Sequence, residues 1–337
     1  MDTSRFKFEI GIDASFTLLF DEEYSLKYLV RMEKTGFDAL WLGDHFYPWH
    51  HSFRHNFYVW SLLPTVLSRT KTIKGGVAVT VPIGGRYHPA IIAQASATID
   101  VMFPGRFLLG VGSGEALNEV PFLGYWPRWE ERMERLLEGL ELIKKLWHEP
   151  DFFNFQGKYY KMPMAYLYLK PKTEIPIYFS AMGEKSAYIA GKFADRLMTV
   201  ASVERYKTVI LPNFEKGSKE AGKDPASTEK IVSIGGGIGD PKEVIKKIKN
   251  YLAGALIKEM FNEPDPRKIL EAGSKVEDEV IMKNYCISET GVDIIEIFDE
   301  WRKLGVNQVM WCDFSVNINK MLRIFKTKII PYFKEVV

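Results

Sequence analysis

The chain has 337 residues, 46% of them hydrophobic and 26% charged, with a net charge of +2 and two cysteines. This composition fits a folded globular chain with a sizeable core, and the near-neutral charge, with no basic run interleaved with aromatics, points away from nucleic acid as a partner. No apolar run reaches the ~20 residues that cross a bilayer, residues 1–8 carry no leader pattern, and Cys286 and Cys312 form no metal pair. The expectation is a cytoplasmic protein without membrane partners, in a reducing compartment.

Short apolar runs alternate with amphipathic segments along the chain. Phe6–Asp13 reads as a first strand and Glu22–Thr35 as a helix closed by Gly36. Asp38–His45 is the second strand, Phe57–Arg69 the second helix, Lys74–Val81 the third strand and Pro89–Met102 the third helix. Phe107–Gly112 is the fourth strand, and Pro127–Trp147 is a long helix with a proline at its first position. Residues 151–172 read as a small hairpin. The alternation resumes with strands at Pro176–Ala181, Leu197–Ala201, Lys230–Gly236 and Gln308–Cys312. The helices that go with them are Lys185–Phe193, Tyr206–Ala221, Pro241–Leu256, Val292–Leu304 and a tail from Ile318. Residues 257–290 show no clear alternation. Eight strands interleaved with helices predict a closed parallel (β/α)8 TIM barrel, one domain over 1–337 with insertions at about 150–175 and 257–290. An open doubly wound sheet would want G-x-G-x-x-G after the first strand, and Asp13-Ala14-Ser15-Phe16 stands there instead.

In a barrel the C-terminal strand ends carry the chemistry. His45 ends the second strand and suits a general base, or a histidine packed at a strand end. Glu115, in Gly112-Ser113-Gly114-Glu115, suits a general acid if burial raises its pKa, or a helix N-cap. Trp49 suits a ring that stacks on a ligand, or a lid packed on the rim. His45, His50, His55 and His51 invite a metal reading, but no cysteine or paired carboxylate completes a ligand set, so no metal is expected. The turn Met182-Gly183-Glu184-Lys185-Ser186 opens a helix whose backbone N–H groups suit a phosphate, or an ordinary cap.

The segments DHFYPW, PIGGRYHPAIIAQASATID, FPGRFLLGVGSGEALNE and YFSAMGEKSAYIAGKFADRLMTVAS resemble the deazaflavin (coenzyme F420)-dependent branch of the luciferase-like superfamily. The resemblance runs to NYCISETGVDIIEIFDEWRKLGVNQV and covers nearly the whole chain. Within the branch, LPNFEKGSKEAGKDPAS inclines toward the secondary alcohol dehydrogenases of methanogenic archaea, ahead of the glucose-6-phosphate dehydrogenases of actinobacteria. The resemblance implies hydride transfer between an alcohol or ketone and coenzyme F420, with a sugar-phosphate dehydrogenase or a non-catalytic deazaflavin-binding protein as alternatives. It implies that His45 takes the hydroxyl proton, that Glu115 serves the ring nitrogen, and that Trp49 closes over the substrate. Asp44 and Asn118 would orient cofactor and neighbours. A non-prolyl cis peptide at Ala78-Val79 would back the ring, with Ser113, Gly114, Ser180, Ala181, Met182 and Gly183 completing the cofactor site. Relatives carry a glutamate where Thr17 stands, with Asp13 a few residues earlier. Lys258 and Lys283 fall near two of three basic substrate positions of the sugar-phosphate enzymes, and Val203 replaces the third. A tryptophan that narrows the alcohol pocket gives way to Gly235-Gly236-Gly237, which predicts a larger substrate. Trp60, Leu62, Leu63, Ile91, Ile92 and Met102 exceed one apolar helix face and, with the habit of the branch, suggest a homodimer.

Overall fold

A computed structural model describes residues 7–15, 22–49, 51 and 56–335. Thr17, His50 and His55 lie outside the described residues. Eight parallel strands form the barrel: β1 (Glu9–Asp13), β2 (Ala39–Leu42), β3 (Lys74–Thr80), β4 (Phe107–Val111), β5 (Ile177–Ser180), β6 (Arg196–Thr199), β7 (Lys230–Ile238) and β8 (Gln308–Asp313). They pair in chain order, and β8 on β1 and β6 on β7 close the ring. The expected TIM barrel is therefore the architecture found.

Two layers of apolar side chains follow from strand alternation. Ala39, Trp41, Leu108, Tyr178, Met198, Ile231 and Met310 fill the barrel interior, with Ala78 and Val79 at its edge. The opposite faces, such as Leu40, Leu42, Leu109, Phe179 and Val309, meet the surrounding helices in the larger core. At the N-terminal end the interior is closed by polar groups: Trp41 Nε1 donates to Gln308 Oε1 at 2.7 Å, and Gln308 Nε2 donates to Glu9 at 2.8 Å. The other end is left for chemistry.

Several boundaries differ from expectation for local reasons. The second strand ends at Leu42, because the Gly43 N–H is taken by Ser15 Oγ at 2.7 Å and the chain leaves the ladder there. The long helix begins at Trp129, not Pro127, whose carbonyl accepts from Arg132 at 2.6 Å. The helix after β6 begins early, at Val203, behind a Ser202 cap. The helix after β7 stops at Tyr251, and a 3-10 turn follows over Ala253–Leu256. Strand β7 runs on to Ile238 because a strand inside the second insertion, Cys286–Ser288, pairs in parallel with Gly236–Ile238. That insertion also holds helices Pro266–Ser274 and Asp278–Asn284. The first insertion is the expected antiparallel hairpin, Phe153–Gln156 with Lys161–Ala165. No described helix is long and apolar enough to cross a membrane.

Candidate active site

The loop after β2 carries the first group of candidates. Asp44 is buried, and both of its oxygens are occupied. Oδ2 accepts from Trp60 Nε1 at 3.1 Å and Thr80 Oγ1 at 2.8 Å; Oδ1 accepts from Tyr87 at 2.9 Å and pairs with Arg86 at 2.9 Å. A carboxylate has about four acceptor positions, and four donors fill them. It ties β2, β3 and the flanking loop and helix together beneath the mouth. Burial raises its pKa, against the pull of Arg86.

His45 folds back over Gly43, where an added Cβ would lie 2.8 Å from the ring Cδ2. Its Nδ1 is 2.8 Å from Asn118 Nδ2. Burial, then the Arg86 cation, push its pKa down to about 4, so the ring is neutral at ordinary pH.

Glu115 occupies the N-cap position of the helix Ala116–Leu123, yet its side chain makes no cap bond. It lies 3.5 Å from Asn118 Nδ2 instead. Burial, then repulsion by Glu119, push its pKa up to about 8, so at neutral pH it is largely a carboxylic acid with a proton to give. Glu119 is itself buried and pushed up to about 7, and its Oε2 has no partner. Gly114, at φ 83°, makes the turn that delivers Glu115, in a conformation that favours glycine. The Ser113 carbonyl is held by Arg132 Nε at 3.1 Å. Asn118 therefore brings His45 and Glu115, from different strand ends, to one point of the mouth.

The Ala78–Val79 peptide is cis, at a register shift between β3 and β4. Across the mouth Ser180 and Ala181 end β5, and the Ala181 N–H pairs with Met198 on β6. In the Met182–Gly183 turn some backbone groups are already engaged: Gly183 N–H donates to Ser186 Oγ at 3.1 Å, and the Met182 carbonyl accepts from Arg205. No side chain approaches Gly183 closely; an added Cβ would meet Arg205 Nη2 only at 3.8 Å. Arg205 and Arg86 were not singled out from the sequence. Arg86 sits in the quoted PIGGRYHP segment, while Arg205, two residues beyond Val203, had no spacing signal.

Trp49 is buried, with its ring edge to Phe261 at 5.2 Å and Leu117 and Ile269 beside it. The second insertion thus covers it. Asp13 is held by Ser15 and is raised in pKa by burial. Val203 packs on the core. Lys258 and Lys283 are exposed, on the short helix Lys258–Asn262 and the helix Asp278–Asn284. The expected widening at Gly235–Gly237 is corrected. The Tyr285 ring fills the space over Gly235, Trp311 that over Gly236, and Val244 with the Phe314 backbone that over Gly237. Among the described residues, no three His, Cys, Asp or Glu side chains gather as a metal site. An open groove of about 470 Å³ on the second insertion includes Glu263, Lys268, Glu271 and Lys275, which pair with one another. None of the expected site residues lines it.

Comparison with known proteins adds to this geometry. The family model for luciferase-like monooxygenases matches residues 14–308. The chain belongs to that family. It is 32% identical over 317 residues to the F420-dependent glucose-6-phosphate dehydrogenase of Segniliparus rotundus, covering 93% of this chain and 94% of the relative. Its structure matches that of an F420-dependent secondary alcohol dehydrogenase in complex with an F420–acetone adduct, at TM-score 0.91 and 35% identity, over 97% and 99% of the two chains. The coenzyme F420-dependent tetrahydromethanopterin reductase of Methanopyrus kandleri, at 22% identity and TM-score 0.76, shares the fold over 97% of this chain and 99% of its own. The deazaflavin-dependent likeness read from the strand-end segments is thus the one the relatives bear.

Proposed function

We propose that this protein is a coenzyme F420-dependent oxidoreductase that interconverts a hydroxyl-bearing carbon and a carbonyl on a small molecule. The observation that carries the reading is one mouth where a neutral imidazole and a largely protonated carboxyl converge on the Asn118 amide. The residues suit the coenzyme. Ala78 and Val79 offer a short-side-chained floor for a planar ring, the Glu115 side chain is not spent on capping its helix, and the Gly183 turn is open to a phosphate. Bound there, the deazaflavin supplies a two-electron hydride acceptor or donor at C5. Glu115 holds a proton for the ring nitrogen, and His45 meets the substrate oxygen. Arg86, fixed by Asp44, keeps both loops in register.

The substrate class divides the support. The curated relatives are named glucose-6-phosphate dehydrogenases. Lys258 and Lys283 are exposed cations without an ion-pair partner among the described residues, which suits an anionic substrate. A secondary alcohol is supported by the structural likeness and by apolar Val203 at the third basic position. We place a sugar phosphate first and a secondary alcohol second, the reverse of the order expected from the sequence. Fluorescence titration with F420 and with FMN, then turnover of glucose 6-phosphate beside propan-2-ol, tests both levels. Preference for F420 is expected. FMN bound equally or more tightly defeats the cofactor assignment, and turnover of the alcohol alone restores the sequence-based order.

A further inference from the structure

The side-chain amide of Asn118 lies between the two acid–base groups, and its orientation is fixed. Its Oδ1 faces the backbone N–H groups of Phe46 at 2.7 Å and Tyr47 at 3.3 Å. Backbone N–H groups only donate, so the atom facing them must be the oxygen. The nitrogen end is therefore the one turned to His45 Nδ1, at 2.8 Å, with its second hydrogen toward Glu115 at 3.5 Å. An amide nitrogen has hydrogens to give and no lone pair to offer. Nδ1 of His45 must accept, and a neutral imidazole that accepts at Nδ1 carries its hydrogen on Nε2.

We infer that Asn118 is a positioning residue that locks His45 as the Nε2–H tautomer, so that the ring meets a substrate oxygen as a hydrogen-bond donor. The part concerning substrate rests on the hydride-transfer reading above; the tautomer does not. The expectation that His45 takes the hydroxyl proton is corrected for the resting ring, because Nε2 has no vacant lone pair. A neutral donor suits the hydride step: the carbonyl and the alkoxide-like oxygen both accept from Nε2–H, the bond strengthens as negative charge builds on that oxygen, and the proton that completes or leaves the hydroxyl is exchanged with water at the mouth, not with His45. The charged and titratable groups around the ring agree with its neutrality. Arg86 and Asp44 form a closed pair beside it, Glu115 lies beyond the amide, and Asp13 is reached only across Ser15, whose Oγ holds the Gly43 N–H. None of them accepts a hydrogen from Nδ1.

The test reads the tautomer on the whole protein without coenzyme or substrate. Selective nitrogen-15 labelling of histidine, with His45 assigned by its loss in His45→Gln, distinguishes a hydrogen-bearing ring nitrogen from a bare one. Wild type should show hydrogen on Nε2 and a bare Nδ1 across the neutral range. Asn118→Asp keeps oxygens for the Phe46 and Tyr47 N–H groups but presents an acceptor to Nδ1. His45 should then carry hydrogen on Nδ1 or become cationic, single-turnover hydride transfer should fall about 10²-fold, and its pH profile should gain a limb from the ring. Asn118→Ala, with its melting curve, covers a failure of the aspartate variant to fold; it should leave a mixture of tautomers. Hydrogen on Nδ1 in wild type, or an unchanged tautomer in a folded Asn118 variant, overturns the inference. A protein that shows the expected tautomer yet binds no deazaflavin keeps this inference and loses the functional reading.

Discussion

Gly43 gives His45 its seat. Replacing the hydrogen by a methyl puts carbon 2.8 Å from the ring Cδ2 and 3.1 Å from Ser15 Oγ, closer than van der Waals contact to the ring allows. Gly43→Ala should displace the imidazole by a fraction of an ångström, slow hydride transfer by about 10²-fold and leave deazaflavin affinity close to wild type; stopped-flow ring reduction and titration check the two halves. Glu115 supplies a second outcome at this scale. A carboxyl whose folded pKa is raised favours the folded state while protonated. Its contribution is full below its ordinary 4.5 and is lost as pH rises through about 8. Glu115→Gln should remove that loss, so its melting temperature relative to wild type should climb between those limits while turnover falls. Melting curves and rates taken over the same pH series decide it. His45, Glu115 and Asn118 were legible in the sequence because they stand at strand ends in a dense motif. Gly43, Arg86 and Arg205 were not, because what they do depends on which side chain folds back over which backbone.

Among the elements, the joint between β2 and β3 depends on one buried carboxylate. Asp44 holds Trp60 of the second helix, Thr80 of β3 and the loop residues Arg86 and Tyr87. Asp44→Ala leaves a nearly buried guanidinium without its counter-charge, which should cost about 3–5 kcal/mol by denaturant unfolding. It should also loosen the His45 loop. The helices Glu22–Thr35 and Pro89–Met102 match their sequence expectations residue for residue, since periodicity and a proline start define them locally. The extension of β7 to Ile238 could not be read, because its partner Cys286–Ser288 is three residues long and lies in the stretch without periodicity. A strand that exists through its neighbour leaves little trace of its own.

At the scale of the molecule, the eight-strand closure was legible from alternation alone, whereas assembly was not. Of the six residues that suggested a homodimer, Trp60, Leu63 and Ile92 are buried in the chain's own core. Leu62 is partly covered, and Ile91 and Met102 are exposed at 52% and 57%. We keep a homodimer as a proposal, with Ile91 and Met102 as its exposed apolar anchors. Sedimentation at micromolar concentration should show a dimer that Ile91→Glu converts to monomer with little change in melting temperature; a monomeric wild type refutes it.

The contact of Trp49 with Phe261 has a consequence for how such an enzyme changes over time. His45, Glu115 and the Ala78–Val79 pair sit at or beside strand ends, whereas the cover over Trp49 comes from the insertion after β7. On the proposed function, changes confined to the cover would retune what the mouth admits and leave His45 and Glu115 in place. The cover meets the mouth through Phe261 and Ile269, which pack on Trp49 and Leu117.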